Sequence, residues 1–192
     1  MGAVILNATE SENTILHDIE SLLTKKLAQK NVPVHAFQLR KQRILPCTAC
    51  GSCSMQSPGL CVAQDDQHEI MKAIVNNSLL VLLTPIRFGG YNSLLKKAAD
   101  KFQLMALPTF ACYQGHMIRA GRYNNLKALL AIGIEEIELP GQAKSFAALV
   151  EHNALNMQVS YHQALTFKRS QSLGQIEAVI ATTLKECCHD EH

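Results

Sequence analysis

Four of the seven cysteines stand within fifteen residues, in Pro46-Cys47-Thr48-Ala49-Cys50-Gly51-Ser52-Cys53 and then at Cys61. A C-x2-C-x2-C unit lets one turn-rich segment offer three thiolates to a single cubane, with a fourth arriving from further along the chain. Gly51 helps the chain wrap. Structural zinc sites more often use two separated C-x2-C knuckles that grip from opposite sides. The spacing therefore points to a [4Fe–4S] cluster on Cys47, Cys50, Cys53 and Cys61, with zinc and metal-free thiols as the alternatives. Cys112 reads as a core residue. Cys187 and Cys188, close to His189 and His192, read as an incidental tail.

Two further segments carry chemistry. Asn7-Ala8-Thr9-Glu10-Ser11-Glu12-Asn13-Thr14 is dense in hydroxyl and amide donors and opens a helix. Free N–H groups at a helix start favour an anion, and Thr9, Ser11, Asn13 and Thr14 would supply converging donors to a phosphate monoester. Glu10 and Glu12 oppose this if they point inward. The ordinary alternative makes Ser11 or Asn13 a helix cap. The second segment is Thr84-Pro85-Ile86-Arg87-Phe88-Gly89-Gly90. A flat ring with a polar edge needs backbone N–H groups along that edge, and glycine lets the backbone come close. Phe88 would form an apolar wall, and Arg87 would stabilise negative charge on a reduced isoalloxazine ring. Read alone, the same residues describe a strand-ending turn with a surface arginine.

The elements that would place these segments follow a repeating order. Residues 3–7 form a short apolar run, as a buried parallel strand does. Ile15, Leu16, Ile19, Leu22, Leu23 and Leu27 then trace one face of a helix. Strands are expected at 33–39, 79–83, 126–132 and 159–167, the third of the five ending at Thr84-Pro85 because proline cannot donate to a central ladder. Helices are expected from Asp66 to about Asn77, where Asp66 and Glu69 make a capping-box pattern, and at 93–105, 143–156 and 172–187. Residues 108–125 show no clear period. Five strands alternating with helices imply an α/β three-layer sandwich with a parallel sheet of order 2-1-3-4-5. Ligands in such sheets bind beyond the carboxyl ends of the strands at the switch point between strands one and three. That rule selects the two segments above, 7–14 and 84–90.

Composition narrows the classes further. Of 192 residues, 47% are hydrophobic and 18% charged, and the net charge is +2. This is a globular profile on the scale of one domain spanning 1–192, with a cysteine-rich loop at 46–62. The small charge and the lack of a basic run exclude a nucleic-acid footprint. No apolar run approaches the roughly 18 residues that cross a bilayer. The start reads straight into a strand without a signal peptide, so a cytoplasmic location is expected. In that compartment clustered cysteines speak for metal or redox chemistry rather than a disulfide framework. No Ser/His/Asp or Cys/His arrangement stands out, and no catalytic residue is assigned. His35, His68, His116, His152 and His162 read as surface or core residues, and Arg119 and Arg122 as solvated loop charges.

Residues 84–100, Thr-Pro-Ile-Arg-Phe-Gly-Gly-Tyr-Asn-Ser-Leu-Leu-Lys-Lys-Ala-Ala-Asp, resemble the second flavin-binding loop and following helix of the NADPH-dependent FMN reductase family. The segment 46–66 resembles the iron–sulfur flavoprotein branch of that family. The resemblance covers roughly residues 1–165. It implies a flavodoxin-like fold and an FMN-dependent oxidoreductase, with FMN held by Thr9, Ser11, Asn13, Thr14, Pro85, Ile86, Arg87, Phe88 and Gly89. It further implies a homodimer or tetramer, NAD(P)H as electron donor, and a redox partner protein or small-molecule acceptor. The first loop departs from the family pattern: Asn7-Ala8-Thr9 and Asn13-Thr14 remain, the usual Gly, Pro and Arg are gone, and two glutamates stand in their place. Three readings follow: an iron–sulfur flavoprotein, an NAD(P)H-dependent FMN or quinone reductase without a cluster, and a non-enzymatic scaffold with weakened flavin binding.

Overall fold

The computed structural model describes residues 2–12 and 14–187. Asn13, one of the expected phosphate ligands, and the tail 188–192 with Cys188, His189 and His192 lie outside the described residues. The elements run β1 (Ala3–Asn7), α1 (Ile15–Gln29), β2 (Val34–Gln38), α2 (Ser52–Met55), α3 (Gln67–Val75), β3 (Leu79–Arg87), β4 (Gly90–Tyr91), α4 (Ser93–Ala99), β5 (Ala106–Tyr113), β6 (His116–Gly121), β7 (Ala128–Glu135), α5 (Gln142–Met157), β8 (Tyr161–Lys168) and α6 (Leu173–Cys187). The parallel strands lie in the order β2-β1-β3-β7-β8. Counted among themselves they have the expected 2-1-3-4-5, flavodoxin-like order.

Alternation along the strands explains the three layers, because successive side chains leave a strand on opposite faces. Val4 and Leu6 of β1, Leu80 and Leu82 of β3 and Leu129 of β7 pack with Ile70 and Ile74 of α3, Leu95 of α4 and Phe146 and Val150 of α5. Their neighbours Ala3, Ile5, Val81, Leu83 and Leu130 face Leu16, Ile19, Leu23 and Leu27 of α1 and Ile176, Ile180 and Leu184 of α6. A sheet covered on both faces needs such continuous apolar strands. Among the described residues no helix is long and apolar enough to cross a membrane.

Several expected boundaries are corrected. The central strand does not stop at Thr84-Pro85 but continues to Arg87, with Pro85 aligned to Ile134 of β7. The Leu83 carbonyl points toward β1, where it accepts from the Ala8 amide. Pro85, two residues on, faces the same way, past the point where β1 has ended, so its missing N–H costs no ladder bond. The helix expected over 93–105 stops at Ala99, and Phe102–Met105 forms a 3-10 turn that buries Phe102 and Leu104. Asp66 does not cap α3 with its side chain; its carboxylate accepts from the Arg43 amide (2.7 Å), and Asp65 accepts from the Gln67 amide (3.2 Å). The aperiodic stretch 108–125 holds all but the first two residues of the hairpin of β5 and β6, closed by Gln114 and Gly115 at φ of 49° and 79°. That is a two-residue turn needing two positive φ values. Pro108 and a register shift between Ala106 and Phe110 erase the alternation that would have announced it. Cys112, expected in the core, is exposed on β5.

Candidate functional site

The chain leaves β1 at Asn7 and passes into the donor-rich loop beside the end of β3. Asn7 is fully buried and accepts from the Thr9 amide (2.9 Å), while its own amide donates to the Glu20 carboxylate (2.6 Å). Thr9 donates to the Ser11 carbonyl (3.0 Å), and its hydroxyl lies 2.7 Å from that of Thr14. Thr14 starts α1 in extended geometry and makes no side-chain capping bond, so this hydroxyl is free of the usual cap duty. Thr9, Ser11 and Thr14 line a cavity of about 380 Å³ together with Pro85, Glu136 and Arg169. The sequence rule for the switch point thus brings the phosphate-type donors and the start of the second segment to one cavity.

The two glutamates of the loop also line this cavity, and each carboxylate is matched by an arginine. Glu12 accepts from Arg40 at 2.8 Å, and that hydrogen bond, helped by the guanidinium charge, holds its carboxyl below the usual range. Glu10 accepts from Asn92 (3.2 Å) and Arg87 (3.4 Å). Arg87 also pairs with Glu136 at the end of β7, and this contact, more than any other, raises its pKa. Arg87, expected to stabilise negative charge on a reduced ring, also forms a bridge that ties the β1 loop to the β7 exit.

Phe88 and Gly89 form the two-residue turn between β3 and β4, where Arg87 pairs with Gly90. Their φ values are 51° and 74°, and Phe88 is 96% exposed. An aromatic ring at a turn tip, open to solvent, is an available apolar wall. Glycine at 89 is required twice over: by its φ, and because a Cβ there would sit 2.7 Å from the Ser145 Cβ. Ile86 does not reach the cavity lining. Its side chain is buried in the core over Gly133.

Sequence reasoning missed Asn92, Glu136 and Arg169. Asn92 is 1% exposed, caps α4 by accepting from the Leu95 amide (3.1 Å), and donates to the Ala8 carbonyl (2.8 Å). One side chain thus fastens the β1 exit to the start of α4. An Asn directly before a helical pattern was the signal for the cap, whereas its reach to Ala8 needed the fold.

The cysteine loop builds a second cavity, of about 440 Å³, lined by Cys47, Cys50, Cys53 and Cys61 with Leu104 and Lys101. Gly51, at φ 74°, precedes α2, and its carbonyl accepts from the amides of Ser54 (2.9 Å) and Met55 (3.1 Å). Hydrogen bonds from the backbone and side chain of Ser52 lower the Cys50 pKa. Beside the cavity Lys101 and Asp65 form an ion pair with side-chain exposures of 1% and 0%. Asp65 also accepts from the amides of Leu45 (2.8 Å) and Gln67 (3.2 Å). Burial alone would raise the Asp65 pKa, but the bonds from Lys101 and Leu45 outweigh it and leave the carboxyl below its ordinary value. Arg119, read from the sequence as solvated, donates to Ser54, and Arg122 lies against Gly59. Both brace the cysteine loop from the hairpin side. The four thiols share one cavity, yet among the described residues no three His, Cys, Asp or Glu side chains converge as a ready metal site.

A doubly wound α/β domain with a hydroxyl-lined cavity at its switch point is the frame of a mononucleotide-binding protein. The family model described as NADPH-dependent FMN reductase matches residues 1–132. The chain belongs to that family. An iron–sulfur flavoprotein of Methanosarcina thermophila is 30% identical over 73 residues, which is 38% of this chain and 37% of that one. The match thus spans well under half of that relative. Among solved structures, an NAD(P)H:quinone oxidoreductase from Methanothermobacter marburgensis has a TM-score of 0.73 at 14% identity, covering 100% of this chain and 98% of the other. An FMN-dependent NADH-azoreductase from Bacillus anthracis, solved in complex with FMN, has a TM-score of 0.66 at 13% identity and covers 97% of both chains. At these identities the likeness is one of fold.

Proposed function

We propose that this chain binds FMN at the switch point and acts as an NAD(P)H-dependent flavin oxidoreductase. The observation that carries the reading is the cavity that joins Thr9, Ser11 and Thr14 to Pro85, with both loop glutamates held by arginines. The donor set suits a phosphate monoester, which needs several converging donors. Thr9, Ser11 and Thr14, with Asn13, would hold the phosphate. Pro85, Phe88 and Gly89 would flank the ring, with Ile86 packed beneath as support and Arg87 placing positive charge nearby. When bound, FMN accepts a hydride equivalent from NAD(P)H and passes electrons on in pairs or singly. The protein's part is positioning. Asn92 and the Arg87 bridge fix the loops, and Phe88 shields one side from water.

A second reading adds a [4Fe–4S] cluster on Cys47, Cys50, Cys53 and Cys61. It is favoured by the gathering of all four thiols around one cavity and by the likeness to an iron–sulfur flavoprotein. Thiolates are the ligands such clusters take. Self-association as a homodimer or tetramer, and a redox partner protein or small-molecule acceptor, belong to either version.

Anaerobic purification with absorbance, iron and sulfide analysis tests both. A flavin spectrum bleached by NADH or NADPH is the expected result; protein that takes up no FMN overturns the reading. Iron and sulfide that disappear in Cys50→Ser support the cluster. Iron that is absent, or unchanged in that variant, removes it.

A further inference from the structure

The cavity at the switch point has an unusual charge inventory. The loop 7–14 that should grip a phosphate carries no cation and two acids, Glu10 and Glu12. Glu136 adds a third carboxylate to the lining. Two arginines answer these three: Arg87 bridges Glu10 and Glu136, and Arg40 holds Glu12. Both guanidinium groups are thereby committed to carboxylates.

Arg169 is different. It follows β8, on an element remote in sequence from the loop, and its amide donates to the Glu135 carbonyl (3.2 Å). Its side chain lines the same cavity as Thr9, Ser11 and Thr14, yet has no hydrogen bond or ion pair among the described residues. Neighbouring Lys168 is paired with Glu138. An unspent guanidinium that lines the same cavity as three hydroxyl-bearing side chains suits a phosphate, since its planar fork bonds two oxygens at once.

We infer that Arg169 supplies the counter-charge for the phosphate of FMN, and that it makes the site select the phosphorylated flavin over riboflavin. The inference rests on the flavin reading above. Without Arg169, neutral hydroxyls would hold a dianion beside three carboxylates that only two guanidinium groups answer. Arg169 supplies the missing cation, and it does so from the segment that follows β8, where no family-like phosphate loop would direct attention.

The test titrates flavin-free protein with FMN and with riboflavin, followed by quenching of flavin fluorescence, in the wild type, Arg169→Ala and Arg169→Lys. A lost charge-assisted bond at a solvent-facing site predicts about tenfold weaker FMN binding in Arg169→Ala. Riboflavin binding should stay within about twofold, and Arg169→Lys should fall between because it keeps charge and loses the fork. The FMN preference of the wild type should also shrink as salt is raised. Circular dichroism checks that the variants remain folded. FMN binding unchanged in Arg169→Ala, or an equal loss for both ligands, overturns the role of Arg169 while leaving the flavin reading intact. Failure of the wild type to bind either flavin overturns both.

Discussion

Lys101→Met removes the ammonium that pairs with a carboxylate having no exposure to water. Lys101 and Asp65 are 1% and 0% exposed, and the carboxylate keeps only its two amide donors, from Leu45 and Gln67. Breaking a buried pair by removing one partner costs about 3–5 kcal/mol, because the other charge stays behind unpaired. The flexible methionine replaces the aliphatic stem, so packing adds little. The two remaining donors put the expected loss near the low end, about 3 kcal/mol. With a urea slope of about 2 kcal/mol/M, the unfolding midpoint falls by roughly 1.5 M. Asp65→Asn added to Lys101→Met removes the stranded charge and should recover half or more of the loss. The sign with pH is set by the Asp65 carboxyl. In the wild type its pKa is depressed, so its contribution is present above the unfolded value of about 3.9 and is lost as pH falls through the folded pKa. In Lys101→Met burial is opposed by less, the pKa rises, and the variant gains relative stability on acidification. The gap between the two proteins must therefore narrow from pH 7 toward about pH 4. Leu45 and Gln67 bracket the cysteine loop, so the four thiols should also react faster with a thiol reagent in the variant. A loss under about 1 kcal/mol at neutral pH, the range of surface pairs, would refute the reasoning. So would a gap that ignores pH.

Other substitutions probe the flavin loop and the core beneath it. Gly89→Ala forces a Cβ to 2.7 Å from Ser145 at φ 74°, and should lower stability by about 1–3 kcal/mol in thermal unfolding. Phe88→Gly relieves a positive φ of 51° at an exposed site, so stability should rise by about 0.5–1 kcal/mol. FMN affinity should fall in the same protein; a variant that is both more stable and an equally good binder would remove Phe88 from the site. Gly133→Ala places a Cβ 2.6 Å from the Ile86 side chain and 3.0 Å from Phe146, and overpacking there should cost about 1–3 kcal/mol by urea titration.

The strands and helices of the sandwich were legible because each carries its pattern locally. Continuous apolar runs such as 79–83 mark buried strands, and the Leu16, Ile19, Leu23, Leu27 spacing marks the face α1 turns to the sheet. The strand order and the switch point follow from right-handed crossovers, which is why 7–14 and 84–90 could be paired before any coordinates. The hairpin after α4 was not legible, since Pro108 and a register shift break its alternation and Gln114 occupies a turn position that usually announces itself with Asn or Asp.

Residue type and spacing alone determined that four thiols would meet in one region and that hydroxyls would crowd the start of α1. Where charge goes was decided by tertiary structure. Glu10, Glu12 and Glu136 acquire meaning only through Arg87 and Arg40, and Arg169 enters the cavity from an element more than 150 residues away from Thr9. Lys101, which a helical pattern would leave on a surface, turns inward to Asp65 because α4 ends two residues before it. Local propensity is a property of neighbours in sequence. Electrostatic pairing depends on distances across the fold, and no periodicity encodes it.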